Sequence, residues 1–553
     1  NTTGISNTAV GSRALDANTE GDSNVAIGLN SLSANTTADN NTAVGTSALN
    51  ANTTGTNNTA LGSAALVANT TGSYNSAVGM VALDANIDGD ANTGLGYGAL
   101  SDNTTADNNT AVGYFALLRN TTGASNVALG KDSLKENTTG AGNTAVGALS
   151  LDANTTGASN TALGKSALSA NTTAASNTAV GSAALLANTT GASNTSVGQG
   201  SMEANTTGTQ NVAVGSLALI ANTTANNNTA VGYFAMNSNT SGTQNTAVGS
   251  SALNANTTAA NNSAFGYNAL GANTTGASNV GIGQFSLDAN TTGSLNTALG
   301  HNALTANIGS GLNTAVGAGA MELNTSGDYN TAVGRNALSA NTTANQNVAV
   351  GMEALLSNTT AADNTALGYQ ALRANTTATN NTAVGAGALR STVTGAGNTA
   401  LGTASQYAST GASNTSVGMN SMRYNTSGGD NTAIGFSALD ANTTASDNTA
   451  VGSSALGSNT TGSGNISMGN SSGGAITTGD SNTCLGRSAG VSIQTGTHNT
   501  LIGHSVDCAH DSDNAIVLGV DVTGQGDNFK FGKTSNVVSN VFTTNASWAR
   551  SSD

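Results

Sequence analysis

Chemistry in a folded chain starts with histidines, cysteines and clustered carboxylates, and this sequence holds few of them. Its histidines are His301, His498, His504 and His510. His498 and His504 fall near the same edge of successive repeats, which could bring two imidazoles together. The pair reads instead as turn or surface histidines, and no metal is assigned. Cys484 and Cys508 are the only cysteines, too few for a disulfide framework, and read as unpaired thiols. No HExxH, CxxC pair or EF-hand loop occurs. Carboxylates such as Asp16, Asp22, Asp39 and Asp84 are scattered and do not recur at one place in each repeat. That excludes the calcium-binding nonapeptide pattern and offers no acid pair of the kind that cleaves glycosides. The reading is a chain with no catalytic residue, no metal and no cofactor.

Two periodic features could still bind a ligand. Tyr97, Tyr114, Tyr233, Tyr267, Tyr369 and Phe436 each follow a repeat glycine, and Phe115 and Phe234 come directly after two of them. Such a column of rings could grip a sugar, and reads first as packing along one edge. N-T-T recurs in nearly every repeat, as at 35–37 and 52–54. In a eukaryotic secretory pathway this is a glycosylation sequon; otherwise it is a polar turn. Adjacent threonines in an extended segment point to opposite sides. Only one hydroxyl column then faces out, which speaks against a flat ice-binding face.

The elements that position these residues follow from composition and period. The chain has 553 residues, with 7% charged, 3% aromatic, Gly 71 and Pro 0, against about 25% charged residues in ordinary globular proteins. The net charge of −15 repels phosphate backbones and excludes nucleic acid as a partner. No run of about 18 apolar residues suggests a membrane-spanning helix. The motif N-T/V-A-V/L/I-G recurs every 17 residues from Asn7 to Asn398, one repeat is then 16 residues long, and register resumes at Asn414. A fixed short period sustained this far predicts a β-solenoid of about 30 coils.

Within a repeat counted from its Asn, position four is Val10, Ile27 and their equivalents, and position nine is Leu15, Leu32 and theirs. These are the expected core. Strands are expected at 8–10 and at 14–17, with side chains alternating between faces. Gly11, Gly28, Gly45 and Gly62 at position five predict a positive φ or a close backbone approach. The Asn columns at positions one and twelve predict turns and stacked amide ladders.

NVAIG (24–28), NTAVG (7–11) and NTAIG (431–435) resemble the repeated motif of YadA-type heads in trimeric autotransporter adhesins. The resemblance covers roughly residues 1–503. It implies a left-handed parallel β-roll with three chains around one axis, Thr8 and Val10 in the roll interior, and Ala9, Ala26, Ala43 and Ala60 facing the trimer axis. The ending NASWARSSD (545–553) resembles the junction before the intramolecular chaperone of endosialidase-type phage tail fibres. That resemblance implies self-cleavage near Ser551 or Ser552.

The expected organisation is a regular all-β shaft over 1–464, degenerate terminal coils over 465–512, where the Leu column fails at Gly473 and Gly490, and a C-terminal β cap over 513–553. The chain opens on NTTGIS, the second half of a repeat, so an upstream part is expected. The expected function is the non-enzymatic shaft of an extracellular homotrimeric fibre. It would attach to a host surface receptor or glycan, as a phage tail fibre or, alternatively, a bacterial surface adhesin. An ice-binding solenoid and a polysaccharide depolymerase stand behind these. Membrane insertion by this segment is not expected.

Overall fold

The computed structural model describes residues 1–541 and 549–551, and the chain divides into two units, Asn1–Ser278 and Asn279–Asp553. Each is a parallel β-solenoid, and no helix occurs among the described residues.

In the first unit, three-residue strands run from Thr8–Val10 and Val25–Ile27 to Ser263–Phe265. Each pairs in parallel with the next, one repeat further on: Thr8 lies opposite Val25, Ala9 opposite Ala26 and Val10 opposite Ile27. After each strand the chain turns at glycine. Gly11, Gly28, Gly45 and Gly62 have φ of +133°, +132°, +140° and +141°, a region in which a side chain is strained. A Cβ on Gly11 would also lie 2.6 Å from the carbonyl oxygen of Gly28. Both reasons for glycine at position five therefore operate.

The stretch 14–17, expected as a second strand, is a turn. Arg13 and Leu15 take φ of +57° and +54°, and Asn30 and Leu32 take +58° and +50°. Left-handed residues at alternate positions coil the backbone, so no extended strand forms. Its amides still join coil to coil: Leu15 N–H donates to the Ser31 carbonyl at 3.0 Å and Ala17 N–H to that of Ser33 at 3.1 Å. A left-handed leucine costs about 1–2 kcal/mol. Burying its side chain contributes about 1.5–3 kcal/mol, which offsets the strain.

The expected core needs a correction. Leu15 and Leu32 are buried, but Val10 and Ile27 are 58% and 39% exposed. Ala26, Ala43 and Ala60, expected to face a trimer axis, have no exposed surface within the single chain, because they line its interior. Ala9, in the first strand, is exposed. The cause is the width of the coil. A Cβ on Gly94, which holds the Ala position of its strand, would meet Leu83 Cγ at 3.4 Å. Leucine from the turn side reaches across to the strand, so only a small residue fits opposite it, and the strand must turn its Thr and Val side chains outward.

The two Asn columns close the interior. Position twelve forms a true amide ladder: Asn35 Nδ2 donates to Asn18 Oδ1 at 2.9 Å, and Asn52 Nδ2 to Asn35 Oδ1 at 3.0 Å. Position one ties side chain to backbone: Asn41 N–H donates to Asn24 Oδ1 at 3.0 Å. Both columns converge on one carbonyl per coil, Ala38 O accepting from Asn24 Nδ2 at 2.8 Å and from Asn35 Nδ2 at 3.0 Å. These asparagines are buried, and the reciprocal bonding is what makes burial of so many amides tolerable. Neither column carries the positive φ expected of a turn asparagine.

The second unit repeats the scheme from Val280–Ile282 onward. Thr500–His504 pairs in parallel with Ile516–Val520, and that strand with Asn528–Lys533. The direction then reverses: Asn528–Lys533 pairs antiparallel with Asn536–Val541, and Asn536–Val541 antiparallel with Ala549–Ser551.

Candidate functional site

The feature that continues through every regular coil is the outer face of its strands. With position three turned inward, positions two and four line this face. In the first unit Leu61, Leu95, Leu129 and Leu163 are exposed on it, and in the second Ile282, Leu299, Leu367, Leu401 and Ile434. Thr59, Thr93 and Thr161 stand beside them as exposed residues of the same strands. The result in each unit is a ribbon of threonine hydroxyls beside a column of branched apolar side chains, spaced by the sheet at about 4.8 Å. Positions two and four of these strands carry no charge, so the face offers packing surface and hydroxyls. A signal for its orientation was present in the sequence: position three never exceeds Ser in size before Cys484, which is the mark of a tight interior.

Ion pairs gather on the turn side. Arg119 Nε lies 3.2 Å from Glu136 Oε2, and Arg373 Nε lies 2.8 Å from Glu353 Oε2. Hydrogen bonds from Gln370 and Arg373 hold the Glu353 carboxyl below the usual range. Asp84 and Asp152 are pushed up by burial, although Ser101 and Ser169 donate to them at 2.5 and 2.6 Å.

The residues singled out for chemistry stand apart from one another. His504 Nδ1 is 3.6 Å from Asp521 Oδ1, and His510 Nδ1 is 3.7 Å from Asp511 Oδ1. Among the described residues no three His, Cys, Asp or Glu side chains come together as metal ligands would. Cys484 and Cys508 are free and buried in one apolar cluster. Burial pushes both thiols up to about 12, which keeps them protonated and inert.

The aromatic column packs on itself. Tyr97 and Tyr114 stack with centroids 5.5 Å apart and planes 13° apart, and Phe115 leans on both, at 5.3 and 4.2 Å. Tyr233 and Phe234 meet edge to face at 4.1 Å. Of the N-T-T threonines, the first is a structural tie: Thr53 Oγ1 donates to the Thr70 carbonyl at 3.0 Å. The second, as at Thr37 and Thr54, is exposed.

Ser551 ends a strand opposite Val537, and Ser552 lies outside the described residues. No helix among the described residues is long and apolar enough to cross a membrane. Compared with known proteins, the chain matches no family profile and no curated protein.

Proposed function

We propose that this chain is the non-enzymatic shaft of an extracellular fibre, in which three copies meet through the Thr/Val faces of their strands. The shaft holds an attachment element away from its anchor and presents it to a receptor or glycan on a host surface. The observation that carries the reading is the apolar column running coil after coil along each unit, uncovered within the single chain. Covering it by a second and third copy removes that surface from water, at about 25 cal/mol per Å² of apolar area. The axial column in this reading is Val10, Ile27, Val44 and Leu61, with Thr8 and its equivalents beside it. The N-x-A-V/I-G resemblance supports three copies, and the resemblance of 545–553 to tail-fibre junctions favours a phage tail fibre over a bacterial adhesin.

The test is the mass of the native particle by light scattering, before and after boiling in detergent. A mass of three chains that survives detergent is expected. Leu299→Glu combined with Leu61→Glu puts charges on the face without touching the interior, and should lower the mass to one chain with the β circular dichroism unchanged. A native monomer overturns the reading.

A further inference from the structure

The interior ladder of the second unit has a gap. Position-twelve amides join Asn307, Asn324, Asn341, Asn358 and Asn375 in sequence, each Nδ2 donating to the preceding Oδ1 at 2.7–3.3 Å. The next two coils break the chain of bonds. Position twelve is Thr392 in one and Ser409 in the other, and position nine of the second is Gln406 where regular coils have Leu or Met. The second coil is also the 16-residue one, from Asn398 to Asn414. Three buried atoms at the gap, Asn375 Oδ1 on its near side and Thr392 Oγ1 and Gln406 Oε1 within it, have no hydrogen-bond partner among the described residues. In the stretch 313–363 of the same unit no such atom occurs among the described residues. The interior is polar as well, with the Ser405 and Ser416 hydroxyls in contact, as the Ser196 and Ser201 hydroxyls are in the first unit.

A buried polar atom without a partner has lost its water and gained nothing in exchange. A coil with Gln for Leu also buries less apolar surface. In a solenoid each coil is held only by its neighbours, so a local deficit is not shared with the rest of the unit. One tie crosses the gap on the outside: Arg390 Nη1 donates to Tyr407 Oη at 2.5 Å, and the guanidinium lies 5.6 Å from the Tyr407 ring centre.

We propose that the coils 381–413 are a built-in yield point, opening before the regular coils of the same unit and latched from outside by Arg390 and Tyr407. Under heat, tension or protease the shaft gives way here, and its other coils stay closed. The inference stands on the coil interior and holds for a single chain, whatever the number of copies in the fibre.

Hydrogen exchange on the full chain, read by mass spectrometry, tests it. The hydrogen-bonded amides of Leu389, Ser391, Gln406 and Thr410 should exchange at least tenfold faster than those of Leu338, Ala340, Leu355 and Thr359, which make the corresponding bonds in regular coils. Tyr407→Ala should widen the difference severalfold. Thr392→Asn with Gln406→Leu and Ser409→Asn rebuilds the regular interior and should narrow it to less than threefold. Equal exchange in the two sets of wild-type amides overturns the proposal, and that comparison needs no variant to fold. A difference that persists in a folded triple variant overturns the assignment to the ladder gap.

Discussion

Coil 330–346 fills its interior with Ala332, Leu338 and Asn341, whereas coil 465–481 uses Ser467, Gly473 and Ile476. The apolar bulk has moved from position nine to position twelve. Gly473 keeps the left-handed backbone of the leucines, with φ +59° against +53° at Leu338, so the fold of the turn does not depend on the side chain it carries. A Cβ on Gly473 would lie 3.1 Å from Ile476 Cδ1, which shows the isoleucine occupying leucine's space. Gly490 and Ile493 repeat the exchange, with Cδ1 at 3.2 Å. The terminal coils are therefore a second solution to the same interior. Either position can supply the apolar side chain that fills the space between the strand and the turn. The amide ladder ends as a consequence, leaving Asn459 Oδ1 without a partner.

The comparison can be broken most severely where the two regions are alike. Gly334 and Gly486 have φ +135° and +131° against the next coil. Gly334→Ala and Gly486→Ala should each cost about 3 kcal/mol or more from backbone strain and contact with the next carbonyl, seen as a lower urea midpoint of the unit. Equal losses are expected in both kinds of coil.

Next comes the interior exchange itself. Ile476→Asn alone empties the space beside Gly473 and should cost about 3 kcal/mol. Gly473→Leu alone crowds Ile476 and Ser467 and should cost about 2 kcal/mol. Ser467→Ala, Gly473→Leu and Ile476→Asn together restore the regular set and extend the ladder from Asn459. That triple variant should fall within about 1 kcal/mol of the wild type, a non-additivity expected of residues sharing one space. Additive losses in denaturant titrations would mean that the terminal coils are merely degenerate.

A smaller effect separates ladder from non-ladder coils. Asn341→Ala removes the acceptor of Asn358 and a donor to Asn324 and to the Ala344 carbonyl, and should cost about 2 kcal/mol. Thr392→Ala removes a hydroxyl that already lacks a partner and should be neutral or slightly stabilising.

The smallest effect is titration, with opposite signs in two places. Burial raises Asp440 above its ordinary 3.8, with Arg423 opposing. Its favourable contribution is therefore present below pH 3.8 and lost as pH rises through the raised value. Asp440→Asn should raise stability at pH 7 by about 0.5 kcal/mol after solvent screening, and the gain should vanish in acid. Asp513 is lowered from 3.8 by the N–H and then the hydroxyl of Thr497. Its contribution is present above pH 3.8 and lost as pH falls through the lowered value. Asp513→Asn should therefore destabilise at pH 7 and be neutral in strong acid, read from urea midpoints across pH.

Period and composition by themselves determined that this chain is a solenoid of stacked short coils, because a fixed 17-residue period rich in Gly, Asn, Thr and Ala calls for identical units that bury their apolar residues against one another. Position five was legible too, since a residue that is glycine in every regular coil reports a backbone that no side chain can follow. Leu15 and Leu32 were legible as core through their size and spacing. Which face of the strand turns inward was not. Alternation allows two phases, and the larger residue, Val10 or Ile27, looked like the inner one. Tertiary structure decided for alanine, because the leucine crossing from the turn leaves room for nothing larger. The left-handed leucines, the convergence of two asparagine columns on one carbonyl and the substitution of Ile476 for the missing leucine were likewise decided between coils. Each depends on where the neighbouring turn places its atoms, a distance that no spacing along a single repeat records.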